Sequence, residues 1–516
     1  MSKTLAALLE SLPLPYELTG DAQTLIGAPV VESDADLEPG GIFVARAGMS
    51  VDGHQFIDRA VARGAAAIVG ERPLDAPLAV PYVRVTNALE AIGPLAAAWH
   101  DFPSRKLTVI GVTGTDGKTT TSTLIHRLLG EGVGLISTIA ADLGGATVET
   151  GLHVTTPGAP QIQALLAAMV DHGLRACVLE MTSHGLAQGR LNGVDVDVAV
   201  MTNVTHEHLD YHGTFEHYRA AKARMFEMLT RSARKPGQPK IAVVNADDPS
   251  ADYFAAIAAD QVVRYGLGAE TDLRATAVEY KPGHTQFTLT APELGDGQMI
   301  TLPLAGAFNV SNALAALAAG RALGVDWPTL AARLATVTAI SGRMERIDEG
   351  QAFIAIVDFA HTPNALKNAL ETGRQMVGPG GRLIAVFGSA GLRDREKRRM
   401  MAETSARLAD ISVLTAEDPR TESLDAILEA MAQGCIAQGG VEGQTFIRVP
   451  DRGEALYRAC RMARAGDVVM ACGKGHEQSM CFGTIEYPWD DRSAMRAALR
   501  GAPLRTLPTA SASGKR

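Results

Sequence analysis

The sequence predicts an α/β protein of three domains: a small N-terminal α/β domain, a central domain with a mostly parallel sheet, and a C-terminal Rossmann-like α/β domain. Three observations predict it. The chain has 516 residues, and domains of ~100–200 residues make about three of them. Apolar runs of strand length alternate with helical stretches, which argues for parallel sheets covered on both faces. The pattern breaks at the polar, Pro-containing Asp101–Lys106 and restarts near Ser341-Gly342-Arg343.

The elements follow in order. Within residues 1–104, Gly41–Ala45 and Ala66–Val69 read as short buried strands, with Phe56–Arg63 a helix between them. Within 105–340, a strand from Leu107 runs into a glycine-rich turn and a helix over Thr123–Leu129. The strands Val133–Ser137, Ala176–Glu180, Val196–Thr202 and Ile241–Asn245 follow, separated by helices such as Pro160–Asp171 and Phe215–Leu229. The β-rich stretch 262–303 reads as an edge meander or hairpin, and the Ala-rich helices Asn309–Leu323 and Pro328–Ala335 close the domain. Within 341–516 the strands are Ile354–Asp358, Leu383–Phe387, Ile411–Leu414 and Val468–Cys472, and the tail from about 505 is expected to be disordered.

Composition narrows the function. Hydrophobic residues make up 46% and charged residues 20%, enough for full cores. With a net charge of −9 nothing argues for nucleic acid or an anionic membrane as partner, and neither is expected. The five cysteines (177, 435, 460, 472 and 481) are scattered, as in a reduced cytoplasmic protein without disulfides or a zinc site. No apolar run reaches the 18 residues of a membrane span and no signal peptide is expected. The chain is expected to act as a monomer.

The richest stretch is 107–121, an apolar strand entering Gly114-Thr115-Asp116-Gly117-Lys118-Thr119-Thr120. A strand, a glycine-rich turn and a helix start converge backbone N–H groups and the helix dipole on a phosphate. Lys118 would reach the outer phosphates and the Thr119 hydroxyl would sit on Mg²⁺. The usual G-x-x-x-x-G-K-[ST] needs Gly at 112, where this chain has Val112. The G-T-x-G-K-T-T spacing points to a subclass of ATP-binding loop, with ATP and Mg²⁺ as the implied cofactors.

Further polar clusters fall at the C-terminal ends of strands, where open α/β sheets place ligands. Glu180 ends one strand, as a Mg²⁺ ligand or as an exposed strand-end acid. Thr202–His212 holds three His and two acids. Mg²⁺ prefers oxygen, so zinc stays open there. Lys222, taken alone, is a surface lysine on a helix. Asn309 and Asn312 at a helix start either face a cleft or cap the helix. Asp358 and His361 follow a buried strand, Arg393 heads the basic run in Gly388–Arg399, Glu417-Asp418-Pro419-Arg420 suits a zwitterion, and Cys472–Glu477 follows the last strand. Together they imply a cleft with ATP on one side and an amine-bearing substrate on the other.

The combination T-G-T-D-G-K-T-T, E-M-T-S-H-G-L, T-N-V-T-H-E-H-L-D-Y-H-G, G-A-F-N-V-S-N-A, G-R-M-E, D-F-A-H-T-P and G-K-G-H-E resembles the Mur ligase family, from about residue 25 to about residue 495. The resemblance implies an ATP-dependent acid–amino-acid ligase of peptidoglycan precursor synthesis. Its partners would be a UDP-N-acetylmuramoyl-dipeptide and a diamino acid, joined through an acyl phosphate. It also implies the site. Lys118 would bind phosphate. Thr119, Glu180, His208 and Lys222, the last carbamylated, would form the Mg²⁺ shell. Asn309, Asn312, Arg343 and Asp358 would serve nucleotide binding and domain closure. Ser33, Ser50, Thr155, Thr156, Thr182, Gln188 and Arg190 would hold the UDP-linked substrate. Arg393, Glu417, Asp418, Pro419, Arg420, Gly473 and Glu477 would hold the diamino acid.

Two departures from the family pattern stand out. Ser33-Asp34-Ala35 replaces the usual Asp-Ser-Arg of the uridine-binding domain. Glu417-Asp418-Pro419-Arg420 replaces the Asp-Asn-Pro-Arg tied to meso-diaminopimelate. Both arginines remain, so a distal carboxylate fits a bidentate clamp, whereas Asp418 would favour the bare ammonium of lysine or ornithine; diaminopimelate is slightly favoured. Two other readings compete. In a folylpolyglutamate-synthase-like ligase, residues 1–104 would have no counterpart. A non-catalytic nucleotide-binding relative would have no need of Lys118, Glu180, His208 and Lys222.

Overall fold

The structure is a computed structural model and describes residues 2–48, 51–74, 76–148, 156–205, 209–268, 271–281, 284–337 and 339–511. Packing divides the chain into two compact units, Met1–Thr205 with Glu216–Asp272 and Ala315–Val325, and His206–Phe215 with Leu273–Leu314 and Asp326–Arg516. Among the described residues no helix is long and apolar enough to cross a membrane.

The first unit holds two sheets. In the N-terminal one, Val30–Val31, Ile42–Val44, Ala67–Gly70 and Tyr82–Val85 are parallel and Tyr16–Thr19 closes the edge antiparallel. Apolar residues fill both faces, with Leu5, Val44, Val69 and Leu95 on one side and Phe43, Ile57 and Ile68 on the other. In the second sheet, Val133–Ile136, Ala176–Glu180, Thr108–Thr113, Val198–Met201, Ile241–Asn245 and Gln261–Gly266 lie side by side, all parallel. These runs of Val, Ile and Leu are continuous rather than alternating because both faces are covered. Gln261–Gly266 corrects the expected meander. The first strand of that β-rich stretch extends the parallel sheet, and only Leu273–Lys281, His284–Thr290 and Gln298–Leu302 form the antiparallel meander.

Within this unit the N-terminal part is locked to the chain that follows. Helix Ala88–Trp99 packs on helix Ala159–Asp171. Gly93 lies so close to the loop after Gly189 that a Cβ there would come 2.0 Å from Asn192 O. Asn192 Nδ2 donates to Leu89 O at 3.0 Å, and Arg105 pairs with Asp195 at 3.0 Å.

The second unit contains the meander and a six-stranded sheet in the order Glu345–Ile347, Ile354–Asp358, Val468–Cys472, Leu383–Phe387, Ile411–Leu414 and Phe446–Arg448, parallel except for the first. Apolar cores cover both faces. Residues up to Ser511 have assigned structure, including a short 3₁₀ turn at Pro508–Ser511, and Thr509 Oγ1 donates to Asp451 Oδ2 at 2.8 Å. The rest of the tail, 512–516, lies outside the described residues.

Candidate active site

Thr108–Thr113 ends at the glycine-rich loop, and helix Lys118–Leu129 starts directly after it. Gly114 has φ 153°, and a Cβ on it would sit 1.8 Å from Thr202 Oγ1. No other residue fits that close approach. Neighbouring segments fasten the loop: Asn203 O accepts from Thr115 N at 2.8 Å, Asn203 Oδ1 from Asp116 N at 2.9 Å, and Thr202 Oγ1 donates to Asp116 O at 2.7 Å. Thr115 Oγ1 lies 3.0 Å from the Tyr218 hydroxyl. Lys118 Nζ donates to Gly114 O at 3.1 Å and Thr115 O at 2.7 Å. Thr120 is buried in the first helical turn. The result is a rigid concave backbone with a helix N-terminus and an ammonium, the donor set for a polyphosphate.

Glu180 pairs with Val112 across the sheet, so its carboxylate arrives beside the loop. It is buried and accepts from Thr119 Oγ1 at 3.1 and 3.2 Å, Thr138 Oγ1 at 3.0 Å and Thr138 N at 3.1 Å. The exposed strand-end reading of Glu180 is therefore excluded. Two hard oxygen donors side by side suit Mg²⁺. Among the described residues no group of three His, Cys, Asp or Glu assembles for a metal ion, and His208 lies outside the described residues.

Lys222 corrects the surface reading of its helix. It is buried, its Nζ donates to Gly114 O at 2.5 Å, and the ammonium lies 4.4 Å from the Tyr218 ring centroid. The helix Phe215–Arg231 turns this face to the phosphate loop, which charge patterning alone does not reveal.

Thr156, Thr182, Gln188 and Arg190 form one cluster next to Glu180. Thr156 Oγ1 lies 3.0 Å from Thr182 Oγ1 and 3.4 Å from Glu180 O, Arg190 Nη1 donates to Thr156 O at 2.7 Å, and Arg190 Nη2 to Gln188 Oε1 at 2.7 Å. Thr182 also caps the helix Ser183–Ala187. Ser33 accepts from Ala35 N at 3.2 Å and caps the 3₁₀ turn Asp34–Asp36. Ser50 and Thr155 lie outside the described residues.

In the second unit, Asn309 Nδ2 donates to Ala305 O at 2.7 Å and Asn312 Nδ2 to Asn309 Oδ1 at 3.1 Å. Both are buried inside helix Ala307–Ala322, so neither is its N-cap. Asp358 accepts from Met344 N at 2.7 Å and Ala360 N at 2.8 Å, which fastens the Gly342-Arg343 turn to the strand end. Arg343 stacks on Phe359 with its guanidinium 4.4 Å from the ring centroid.

Glu417-Asp418-Pro419-Arg420 follows strand Ile411–Leu414. Asp418 and Arg420 take positive φ, 38° and 55°, strain of the kind that concentrates at functional sites. Asp418 accepts from Lys474 Nζ at 3.0 and 3.1 Å and from Cys481 N at 2.9 Å, while Lys474 also pairs with Glu477 at 2.5 Å. Gly473 crosses Glu417 so closely that a Cβ would meet its Oε2 at 2.3 Å. Burial pushes the Glu417 carboxyl up to about 7. Glu417 Oε2 and Arg420 Nε have no hydrogen-bond partner among the described residues. Arg393 is exposed, but its turn touches the same segment, since Gly391 N donates to Asp418 O at 2.9 Å.

Among the described residues two groups gather: the phosphate loop with Glu180, Lys222, Thr156, Thr182 and Arg190 in the first unit, and Asp358, Glu417, Asp418, Gly473 and Glu477 in the second, whereas Ser33 stands in its own N-terminal turn and Asn309 with Asn312 in their own helix. Thr138, Asn203, Tyr218 and Lys474 escaped assignment. Lys474 stands inside a motif already singled out, so its charge between acids was the missed signal. The others carry no spacing that announces them.

The chain is similar to known proteins over most of its length. Residues 35–100 match the model of the Mur ligase family catalytic domain, 112–320 the Mur ligase middle domain, and 342–475 the Mur ligase glutamate ligase domain. A UDP-N-acetylmuramyl-tripeptide synthetase of Roseiflexus sp. (strain RS-1) is 44% identical over 92% of this chain and 94% of its own. A UDP-N-acetylmuramoyl-L-alanyl-D-glutamate–2,6-diaminopimelate ligase of Geobacillus thermodenitrificans (strain NG80-2) is 42% identical over 90% of this chain and 92% of its own. A solved structure of a ligase of that same name superimposes with a TM-score of 0.66 at 30% identity, covering 97% of this chain and 99% of the other.

Proposed function

Because the chain belongs to the Mur ligase family, we propose that it is an ATP-dependent ligase that adds a diamino acid to UDP-N-acetylmuramoyl-L-alanyl-D-glutamate in peptidoglycan precursor synthesis. The observation that carries this reading is the extent of likeness to a 2,6-diaminopimelate ligase, over nine-tenths of both chains. The phosphate loop built against Glu180 and Thr119 is its structural counterpart.

A carboxylate is a poor electrophile and needs a leaving group before an amine can attack. One oxygen of the free glutamate carboxylate attacks the γ-phosphorus of ATP, and ADP leaves. The amine of the diamino acid then attacks the acyl carbon of the resulting acyl phosphate. The tetrahedral adduct loses inorganic phosphate and a proton, leaving the amide. The Gly114–Gly117 backbone and Lys118 hold the phosphates and offset charge on the transferring group. Thr156, Thr182, Gln188 and Arg190 hold the UDP-linked substrate near Glu180. Thr119 and Glu180, with His208 and a carbamylated Lys222, would hold Mg²⁺, which supplies further positive charge to the phosphoryl group.

The pocket at Glu417–Arg420 supports meso-diaminopimelate over lysine or ornithine. The Asp418 carboxylate already serves Lys474 and Cys481 N, so it is poorly placed to receive a bare distal ammonium. The Arg420 Nε–H has no partner among the described residues and suits a distal carboxylate.

Phosphate release with ATP, Mg²⁺ and the UDP-dipeptide tests this, with meso-diaminopimelate, L-lysine and L-ornithine offered in parallel. Release that depends on diaminopimelate is expected. Release with lysine or ornithine alone overturns the choice of acceptor, and none with any acceptor overturns the activity.

A further inference from the structure

The loop Gly473–Glu477 has two working faces. On one, Gly473 covers Glu417, and Lys474 joins Asp418 to Glu477. On the other, His476 is buried against Phe359, with ring centroids 4.9 Å apart. Phe359 in turn carries the Arg343 guanidinium at 4.4 Å and meets His361 at 4.4 Å. The backbones interlock here. A Cβ on Gly342 would lie 2.2 Å from His476 N, and Gly473 N donates to Asp358 O at 3.1 Å. Two groups of residues separated by more than fifty positions, Gly342–His361 and Glu417–Asp418, therefore share one short loop.

We propose that His476 is a positioning residue whose ring holds the Phe359–Arg343 stack, so that the Gly473–Glu477 loop couples nucleotide binding to diamino-acid binding. This rests on the function proposed above for its choice of ligands and on the expected role of Arg343 in nucleotide binding. A flat aromatic side chain behind Phe359 limits the ring to one orientation, and the ring limits the guanidinium stacked on it. A shift of the loop on filling of the Glu417–Arg420 pocket therefore reaches Arg343 by packing alone. His476 does not need to exchange a proton for this role. Its Nδ1 has no partner among the described residues, and burial with the charges of Arg343, Arg492 and Lys474 pushes it down to about 3, so it is neutral at working pH.

The test is the dissociation constant for meso-diaminopimelate, with and without a nonhydrolysable ATP analogue, in the wild type, His476→Ala and His476→Phe. The wild type should show a ratio of about 5–150. His476→Ala should bring it near one, and His476→Phe, which keeps a flat ring, should restore it. An unchanged ratio in His476→Ala, a ratio of one in the wild type, or no rescue by His476→Phe overturns the proposal. If His476→Ala does not fold, Phe359→Leu removes the other ring and is judged by the same ratio. If the wild type neither binds diaminopimelate nor turns over, the functional reading fails instead. The affinity for the analogue alone then decides, because weakening in His476→Ala with recovery in His476→Phe supports the stack and equal affinities overturn it.

Discussion

Two clusters of charged side chains lie beside the ends of the C-terminal strands, and they are finished to different degrees. In one, Arg452 and Asp491 are fully buried and joined by two hydrogen bonds of 2.7 and 2.6 Å. Arg452 also donates to Ala416 O and Cys472 O, and Trp489 Nε1 donates to Asp491 Oδ1 at 2.8 Å. In the other, at Glu417–Arg420, Glu417 Oε2 and Arg420 Nε are without partners among the described residues. Buried polar groups in native proteins are normally hydrogen-bonded. The closed cluster is thus a brace, while the open one keeps capacity for a ligand. Arg452 holds the carbonyls of Ala416 and Cys472, the residues just before Glu417 and Gly473, so the brace fixes the floor of the open cluster.

The most damaging way to break this contrast is Arg452→Ala. It leaves Asp491 buried without its cation, and a loss of about 3–5 kcal/mol is expected, read as a lower urea midpoint or as insoluble protein. An unchanged midpoint would mean that the brace carries no load.

Glu417→Gln sharpens the contrast through pH. Burial pushes the folded carboxyl up to about 7, above its ordinary value of 4.5. The folded state therefore binds more protons than the unfolded state between those values, and wild-type stability falls as pH rises from about 4.5 to about 7. The full penalty, about 3 kcal/mol, is present above pH 7. Glu417→Gln should lack this slope in urea titrations from pH 4 to pH 8. Parallel profiles would place the Glu417 carboxyl in an ordinary environment.

Arg420→Ala should have the smallest effect on the fold and a selective one on activity. We expect the KM for the diamino acid to rise ~10–100-fold, the loss of one charge-assisted clamp of roughly 1.5–3 kcal/mol, with the KM for ATP little changed. Equal rises in both would reject the assignment of Arg420 to the diamino-acid pocket.

Much of the fold was legible because strands buried on both faces leave uninterrupted apolar runs. Ala176–Glu180, Ile241–Asn245, Ile354–Asp358, Leu383–Phe387 and Val468–Cys472 all fall where those runs predicted them. The edge elements were not legible. Val30–Val31, Phe446–Arg448 and Ser479–Phe482 are short, and a run of two to four residues looks like a loop. The phosphate loop was legible since its chemistry is local. Lys222 and the Asn309–Asn312 pair show the opposite case, in which sequence chemistry is ambiguous until tertiary packing decides what the side chain faces. The Lys474 link between Asp418 and Glu477 was hidden for the same reason, because its partners are 56 residues apart in one case and three in the other.

The contact at Gly93 also bears on inheritance. Where two backbones meet with no room for a single methyl group, the two segments cannot be exchanged independently between relatives. A chimera that takes residues 1–104 from another ligase would have to import the Gly189–Val194 loop with them, or find a donor whose helix and loop already have the same clearance. Residues 1–104 and the start of the second parallel sheet are therefore one module for recombination, even though their sheets are separate.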